Sequence, residues 1–76
     1  MNDKATNIFV FKTNIRYKKH ISAVRSRIEA EPQIIKWNVD LHDIDKILRI
    51  ESLDLQPAIV EDLVRKAGYY CEELKD

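Results

Sequence analysis

The sequence predicts an α+β domain of the ferredoxin-like type, with the order βαββαβ, a four-stranded antiparallel sheet and both helices on one face. Two segments carry apolar residues at helical spacing, and four short runs have the β-branched, aromatic or alternating character of strands. Two right-handed β-α-β crossovers with a hairpin between them produce this topology. Residues 1–76 suffice for a single core, and the predicted elements occupy residues 7–74.

The first strand and the first helix are marked by a change in the apolar period. Residues 8–11, Ile-Phe-Val-Phe, predict a strand. Four apolar residues then recur at spacings of four, three and four: Tyr17, Ile21, Val24 and Ile28. We expect this stripe, Tyr17 included, to pack against the core from one side of a helix. Thr13 or Asn14 is expected to cap the helix, and Pro32 to stop it.

The second half predicts a hairpin, a helix and a last strand. Four inward residues alternate with polar ones along the first hairpin strand: Ile35, Trp37, Val39 and Leu41. Residues 42–45 form the hairpin tip, and Leu48 and Ile50 face inward from the return strand. Pro57 suits the first turn of the second helix, and Gly68 suits the position after its last turn. Its expected apolar face comprises Ile59, Val60, Leu63, Val64 and Ala67. Residues 69–71 form the last strand.

The composition limits the classes of protein to which the chain can belong. Hydrophobic residues make up 45% of the sequence, which is enough for a globular core. The single cysteine, Cys71, excludes an internal disulfide. No segment approaches about 20 apolar residues, so we expect no membrane insertion. These features together predict a cytoplasmic domain.

The charges are distributed unevenly along the chain although the net charge is zero. Residues 1–36 contain eight bases and three acids, a charge of +5, and residues 37–76 therefore carry −5. Such asymmetry is typical of a docking face or of head-to-tail self-association. The alternative is that the two halves neutralise each other in the folded domain. A chain without net positive charge is a poor general binder of nucleic acids.

Three stretches together resemble the heavy-metal-associated domain of copper chaperones and metal-transporting P-type ATPases. Residues 33–41, Gln-Ile-Ile-Lys-Trp-Asn-Val-Asp-Leu, resemble the second strand of that family. Residues 59–69 end in Ala-Gly-Tyr and resemble its second helix and the turn into its last strand. Ile21, Val24 and Ile28 follow the apolar spacing of its first helix. The resemblance covers residues 7–74 and implies the same fold.

The metal loop of that family reads Gly-Met-x-Cys-x-x-Cys, and here it is degenerate. Counting back from Val24 puts Tyr17 at the first cysteine position and His20 at the second, so both thiolates are missing. The same register puts Lys12 where the family has an inward aliphatic residue. It also turns Phe9 and Phe11 toward the open face of the sheet. A one-residue bulge or insertion in the loop would instead turn both aromatic rings inward.

The altered loop leaves few residues that could hold a metal. Cu(I) prefers two thiolates, and Tyr17 and His20 supply none. The topology brings the first loop, the hairpin and the start of the last strand to one end, and a set of His20, His42 and Cys71 there would suit zinc better than Cu(I). The alternative is two solvated histidines and a buried structural cysteine. We therefore expect no cofactor, with zinc or copper at these three residues as the alternative.

Two surfaces are candidates for docking. Arg16, Lys18 and Lys19 crowd the start of the first helix, which predicts a site for an anion or for the carboxylates of a partner. The alternative is a solvated basic end, paired with acids of the hairpin. An apolar patch on the open sheet face is the second candidate: Phe9, Phe11, Ile47 and Tyr70. If the two phenylalanines belong to the core, Ile8 and Val10 face out instead.

We expect a non-enzymatic domain that docks onto another protein or onto itself, as a homodimer for example. Residual binding or transport of a transition metal is the alternative. A second alternative is an RNA-recognition motif, because residues 8–10 resemble its first-strand motif. However, residues 45–51 lack the glycine and the aromatics of its third strand. One cysteine and two histidines at unrelated spacings do not form a nucleophile–base arrangement, so we expect no enzyme.

Overall fold

The order βαββαβ is confirmed by a computed structural model that describes residues 6–75. The elements are β1 (Asn7–Thr13), α1 (Lys18–Glu29), β2 (Ile34–Asp40), β3 (Ile47–Ser52), α2 (Pro57–Lys66) and β4 (Cys71–Glu73). The strands form one antiparallel sheet in the order β2-β3-β1-β4. Phe11 of β1 pairs with Leu48 of β3, and Thr13 pairs with Cys71 of β4. The end of β1 and the start of β4 therefore lie side by side, next to the start of α1.

The core lies between the sheet and the two helices. Ten side chains form it: Phe11, Ile15, Val24, Ile28, Leu48, Ile50, Leu55, Val60, Val64 and Cys71. The inward orientation predicted for Leu48 and Ile50 is confirmed, since both are fully buried. Burying one large aliphatic or aromatic side chain contributes about 1.5–3 kcal/mol, so this cluster supplies most of the driving force for folding.

The prediction that Phe9 and Phe11 line the open sheet face is wrong, and the alternative is confirmed. Phe11 is fully buried and Phe9 packs against the core, whereas Ile8 is 56% exposed. Side chains alternate along a strand, so Phe9, Phe11 and Thr13 share the inner face. The burial of two aromatic rings is favourable, and β1 therefore does not take the orientation that the metal-loop register of the resembling family predicts. Of the other predicted patch residues, Ile47 is half-buried and Tyr70 is exposed.

Two aliphatic residues predicted to face inward do not. In β2 the pairing with β3 shifts between Ile34 and Lys36, so Ile35 sits in a bulge and is 50% exposed. A bulge changes which residues face the core, and Ile34 packs there instead. In α2 the buried stripe is centred on Val60 and Val64. Ile59 lies about 100° around the helix from Val60 and is exposed.

The turn after α2 explains why the last strand begins at Cys71 rather than at residue 69. Gly68 N–H donates to the Arg65 carbonyl at 2.9 Å, and Tyr69 N–H donates to the Val64 carbonyl at 3.2 Å. This is the Schellman arrangement, in which the residue after the C-cap takes a left-handed conformation. Gly68 has φ +99°, as the arrangement requires. Tyr69 therefore belongs to the helix exit and cannot join the sheet.

Replacing Gly68 by alanine should lower the free energy of unfolding by about 1–2 kcal/mol, because a Cβ disfavours the left-handed conformation. No atom lies within 4 Å of the position that the new Cβ would occupy, so the loss comes from the backbone alone. Gly68→Asn should lose less, since asparagine tolerates this conformation better. Urea denaturation followed by circular dichroism measures both, and equal losses would contradict the backbone explanation.

Candidate functional site

Three connections meet at one end of the domain, which we call the loop end: residues 14–17, 41–46 and 67–70. Thr13 N–H donates to the Asp45 carbonyl at 3.0 Å, and its Oγ1 donates to the Lys46 carbonyl at 2.6 Å. Tyr70 N–H donates to Asn14 Oδ1 at 2.8 Å. These bonds join the loop before α1 to the hairpin on one side and to the start of β4 on the other. The loop end is therefore a single connected surface.

The start of α1 is capped from within the helix by His20. Its Nδ1 accepts the N–H of Arg16 at 3.1 Å and the N–H of Tyr17 at 3.4 Å. A side chain three residues into a helix that reaches back to the N-cap backbone is one half of a capping box. The predicted caps are wrong, because Tyr17 is the N-cap residue. Thr13 instead accepts the Ile15 N–H, and Asn14 is bonded to Tyr70.

The His20 ring lies between two tyrosine rings. Its centroid is 5.0 Å from that of Tyr17 and 5.0 Å from that of Tyr69. The prediction that Tyr17 packs in the core is wrong, since its side chain is 57% exposed. The helix begins at Lys18, so extended Tyr17 lies outside the apolar stripe, while Ile15 is buried. His20 is thus held by hydrogen bonds and by aromatic contact on both sides.

The three cations predicted for docking are exposed at the start of α1. Arg16, Lys18 and Lys19 form no ion pair with any of residues 6–75. Within that part of the chain only one ion pair, between Lys12 and Asp45 at 3.7 Å, joins the basic half to the acidic half. The acids of the hairpin therefore do not neutralise the cluster by direct pairing, and the charge asymmetry persists at the surface.

Ile44 is the functional candidate that sequence reasoning missed. It lies at the hairpin tip and is 91% exposed. An open cleft of about 410 Å³ beside it is lined by Arg16, Tyr17, Ile44 and Lys46. Hairpin tips are normally polar, so an isoleucine among polar residues at positions 42–46 was the available signal. The loop end thus combines exposed apolar surface with cations, a composition suited to contact with a protein.

Comparison with solved structures identifies the fold. The N-terminal domain of PacS from Synechocystis PCC6803 superposes with a TM-score of 0.76 at 20% identity, covering 91% of this chain and 98% of that one. The apo HMA domain of a copper chaperone for superoxide dismutase gives 0.78 at 16% identity, with coverages of 99% and 74%. The Atx1–Cu(I)–Ccc2a complex gives 0.76 at 12% identity, with coverages of 95% and 99%.

The chain has the heavy-metal-associated fold. No protein-family model matches its sequence, and a search of curated proteins gave no match. The structural likeness spans nearly the whole chain, whereas identities of 12–20% in these three alignments show shared architecture only. The resemblance inferred from residues 7–74 is therefore confirmed at the level of the fold, and the chemistry of the loop end rests on its own residues.

The loop end of this heavy-metal-associated fold does not fit Cu(I) or zinc. Among residues 6–75 no group of three or more His, Cys, Asp or Glu side chains could hold a metal ion, so His20, His42 and Cys71 are not assembled into a site. His42 is exposed on the hairpin. The Nδ1 lone pair of His20 is occupied, so a neutral ring carries its proton on Nε2. A metal would have to displace the cap of α1.

Cys71 is a buried thiol rather than a ligand. Burial raises its pKa from 9.0 to about 12; the negative charge of Glu61 adds to the increase, and Arg65 opposes it. Metals and electrophiles react with the thiolate, which is scarce at neutral pH when the pKa is this high. Full burial also closes the route to the sulfur. Cys71 therefore contributes packing to the core.

The open sheet face lacks the features of an RNA-recognition motif. The outward residues of β1 are Ile8, Val10 and Lys12, and the aromatic ring needed to stack on a base, Phe9, packs against the core. The structure thus contradicts the RNA-recognition alternative at Phe9, the residue on which it depended.

Neither helix within residues 6–75 has the length or the apolar composition to cross a bilayer.

Replacing His20 by alanine should lower the free energy of unfolding by about 0.5–2 kcal/mol, because two backbone donors lose their acceptor. Hydrogen exchange of the Arg16 and Tyr17 amides should accelerate, which NMR measures residue by residue. His20→Gln should lose less, since a side-chain oxygen can accept the same N–H. Lys19→Ala is the neighbouring control and should leave both amides unchanged. Unaltered exchange in His20→Ala would contradict the capping role.

The raised pKa of Cys71 predicts a loss of stability at alkaline pH. Between about 9 and about 12 the unfolded chain releases the thiol proton while the folded domain retains it, so the free energy of unfolding falls as the pH rises. Cys71→Ala removes this contribution and should show a shallower decline over that window. Urea midpoints measured against pH test the difference between the slopes. Parallel curves for the two proteins would refute the assignment.

Proposed function

We propose that this chain is a non-enzymatic protein-docking domain that contacts its partner through the loop end and does not carry Cu(I). The observation that supports the proposal is the exchange of chemistry at this end. On the sequence register counted back from Val24, Tyr17 and His20 take the positions of the two metal-binding thiolates. The cleft at this end is lined by cations and by the exposed Ile44. A partner with exposed carboxylates beside an apolar surface complements it.

The similar structures support docking as the retained activity. One of them is itself a complex, Atx1–Cu(I)–Ccc2a. In this chain Arg16, Lys18 and Lys19 would repel an approaching metal cation, while the same charges attract an acidic protein. Residual metal binding at His20, His42 or Cys71 is the competing function. It would use His20, which caps α1, and Cys71, which is buried, and these residues are not grouped with His42 into a site among residues 6–75.

An enzymatic role has little support among the described residues. The cleft at the loop end is open to solvent and contains two cations but no nucleophile paired with a base. Substrate sites are usually concave and largely enclosed, with a few convergent polar groups. The proposed location of the domain is the cytoplasm. Its single cysteine cannot form an internal disulfide, which suits a reducing compartment.

Titration with poly-L-glutamate tests whether the loop end accepts carboxylates. We expect the amide NMR signals of residues 16–20 and 43–46 to shift, and the shifts to vanish when the salt rises from about 50 to about 500 mM. Lys18→Glu/Lys19→Glu should abolish them without unfolding the domain, because acids in the first turn of α1 favour the helix dipole.

The matched control is Arg27→Glu/Lys36→Glu, which makes the same charge change at the other end of α1 and the start of β2. It should leave the shifts at the loop end in place. Shifts spread evenly over the surface, or equal losses in both double variants, would contradict docking at the loop end.

A Cu(I) competition titration against a calibrated chelator without oxygen tests the competing function. We expect no stoichiometric binding, since no thiolate pair is present. Tight binding that is lost in His20→Ala or Cys71→Ser would replace the docking proposal by metal handling. Lys19→Ala serves as the control, because the side chain of Lys19 is exposed and is not a ligand for Cu(I).

A further inference from the structure

A second cleft lies between the start of α2 and the end of β4, and we call it the acidic cleft. It is open and has a volume of about 500 Å³, with walls formed by Gln56, Pro57, Ala58, Glu61, Glu72, Glu73 and Lys75. Three carboxylates face one ammonium there, and Lys75 lies 3.9 Å from Glu73. The lining is thus net negative, with apolar surface from Pro57 and Ala58.

The acidic cleft and the loop end are separated along α2 but adjoin along β4, where the hydroxyl of Tyr70 in the loop end donates to Glu72 of the cleft. Helix α2 starts at the cleft with Pro57 and ends at Lys66, just before the loop-end residues Gly68 and Tyr69. Its 10 residues span about 15 Å. Strand β4 runs from Cys71, beside Thr13, to Glu73, beside Phe11, and so leads away from the loop end. Within residues 6–75 the cations at the start of α1 form no ion pair with the carboxylates of the cleft, whereas a second copy can supply those carboxylates.

We propose that the partner of the loop end is a second copy of this chain, docked head to tail. Ile44 of one copy, with Arg16 and Lys46 beside it, contacts the acidic cleft of the next, and Lys18 and Lys19 extend the positive charge along the start of α1. This inference rests on the proposed function and specifies the partner. It also accounts for the charge asymmetry, because the excess of bases in one half and of acids in the other neutralise each other between copies.

The chemistry of the two surfaces is complementary in both charge and polarity. Ile44 is the most exposed large hydrophobic residue in the described chain, and burial against Pro57 and Ala58 removes it from water. The loop-end cations carry no ion pair within residues 6–75, so they meet the carboxylates without breaking existing bridges. Only Lys75 must share Glu73 with an incoming cation.

Head-to-tail contact has a distinctive consequence. In a head-to-tail pair one copy keeps a free loop end and the other a free acidic cleft, so further copies can add as the concentration rises; the product is an open chain unless the rotation between copies closes it into a ring. A symmetric homodimer would stop at two copies. Since both surfaces are exposed and charged, the association should weaken as salt screens the attraction over the Debye length of about 10 Å at 0.1 M.

Two variants that each block one surface test the inference. Lys18→Glu/Lys19→Glu disables the loop end and leaves the acidic cleft intact. Glu61→Gln/Glu72→Lys disables the cleft; the glutamine keeps an oxygen for the Glu73 N–H, which Glu61 accepts at 2.8 Å. The two double variants carry opposite charge changes and could attract each other for that reason alone. A fourfold variant that combines all four substitutions has both surfaces disabled and is the control for this attraction. NMR spectra of each variant first establish that it is folded.

Sedimentation equilibrium measures the outcome. Wild-type protein at up to about 1 mM and low salt should show an average mass that rises steadily with concentration. Each double variant alone should be monomeric, with self-association weakened at least about tenfold. Their equimolar mixture should form dimers and nothing larger, because only one compatible pair of surfaces remains. Ile44→Asp should weaken wild-type association, and the fourfold variant should join neither double variant.

The result that overturns the inference is specific to it. A monomeric wild-type protein, a dimer formed by either double variant alone, or a mixture that stays monomeric would each exclude head-to-tail docking. Poly-L-glutamate that shifts the loop end of a monomeric wild-type protein would retain the proposed docking function with a different acidic partner. Loss of both responses would remove the proposed function as well.

Discussion

The two hydrogen bonds that His20 Nδ1 accepts from the Arg16 and Tyr17 amides determine the character of the loop end. They start α1 at Lys18, leave Tyr17 outside the helix and hold the imidazole between two tyrosine rings. Because the lone pair is committed to the backbone, His20 acts as a structural cap. The His20 side chain thus fixes the backbone of the loop that leads into α1.

The exposed surface of the domain follows from this arrangement. With the start of α1 fixed, Arg16 lies beside the hairpin, and the hydrogen bonds of Thr13 join that hairpin to the end of β1. Ile44 then projects from a hairpin whose next two residues, Asp45 and Lys46, are hydrogen-bonded to Thr13. Residues that are held in place before binding lose less conformational entropy when they bind, which favours the docking proposed for this surface.

Much of the fold could be predicted from the sequence, because apolar periodicity reports directly on burial. Leu48, Ile50, Val24 and Ile28 are buried as their spacing predicts. The orientations that were predicted wrongly have physical causes that the spacing of apolar residues does not reveal. The bulge at Ile35 changes the inward set of β2, and Tyr17 keeps the helical spacing but lies outside the helix. The capping role of His20 is a local contact, but histidine is not the Glu or Gln that usually marks this position of a capping box, so the residue type did not indicate it. The exposure of Ile44 had a signal in its polar neighbours, whereas its place beside Arg16 depends on how the loops meet.

The burial of the sole cysteine has a further consequence, which concerns oxidants. Sulfur is the element through which peroxide and disulfide exchange act on proteins, and they require an accessible thiolate. Here the sulfur of Cys71 is enclosed and protonated, and none of the loop-end residues is a cysteine. The proposed contact surface consequently keeps the same covalent structure in reducing and in oxidising surroundings, which a surface built on paired thiols cannot do.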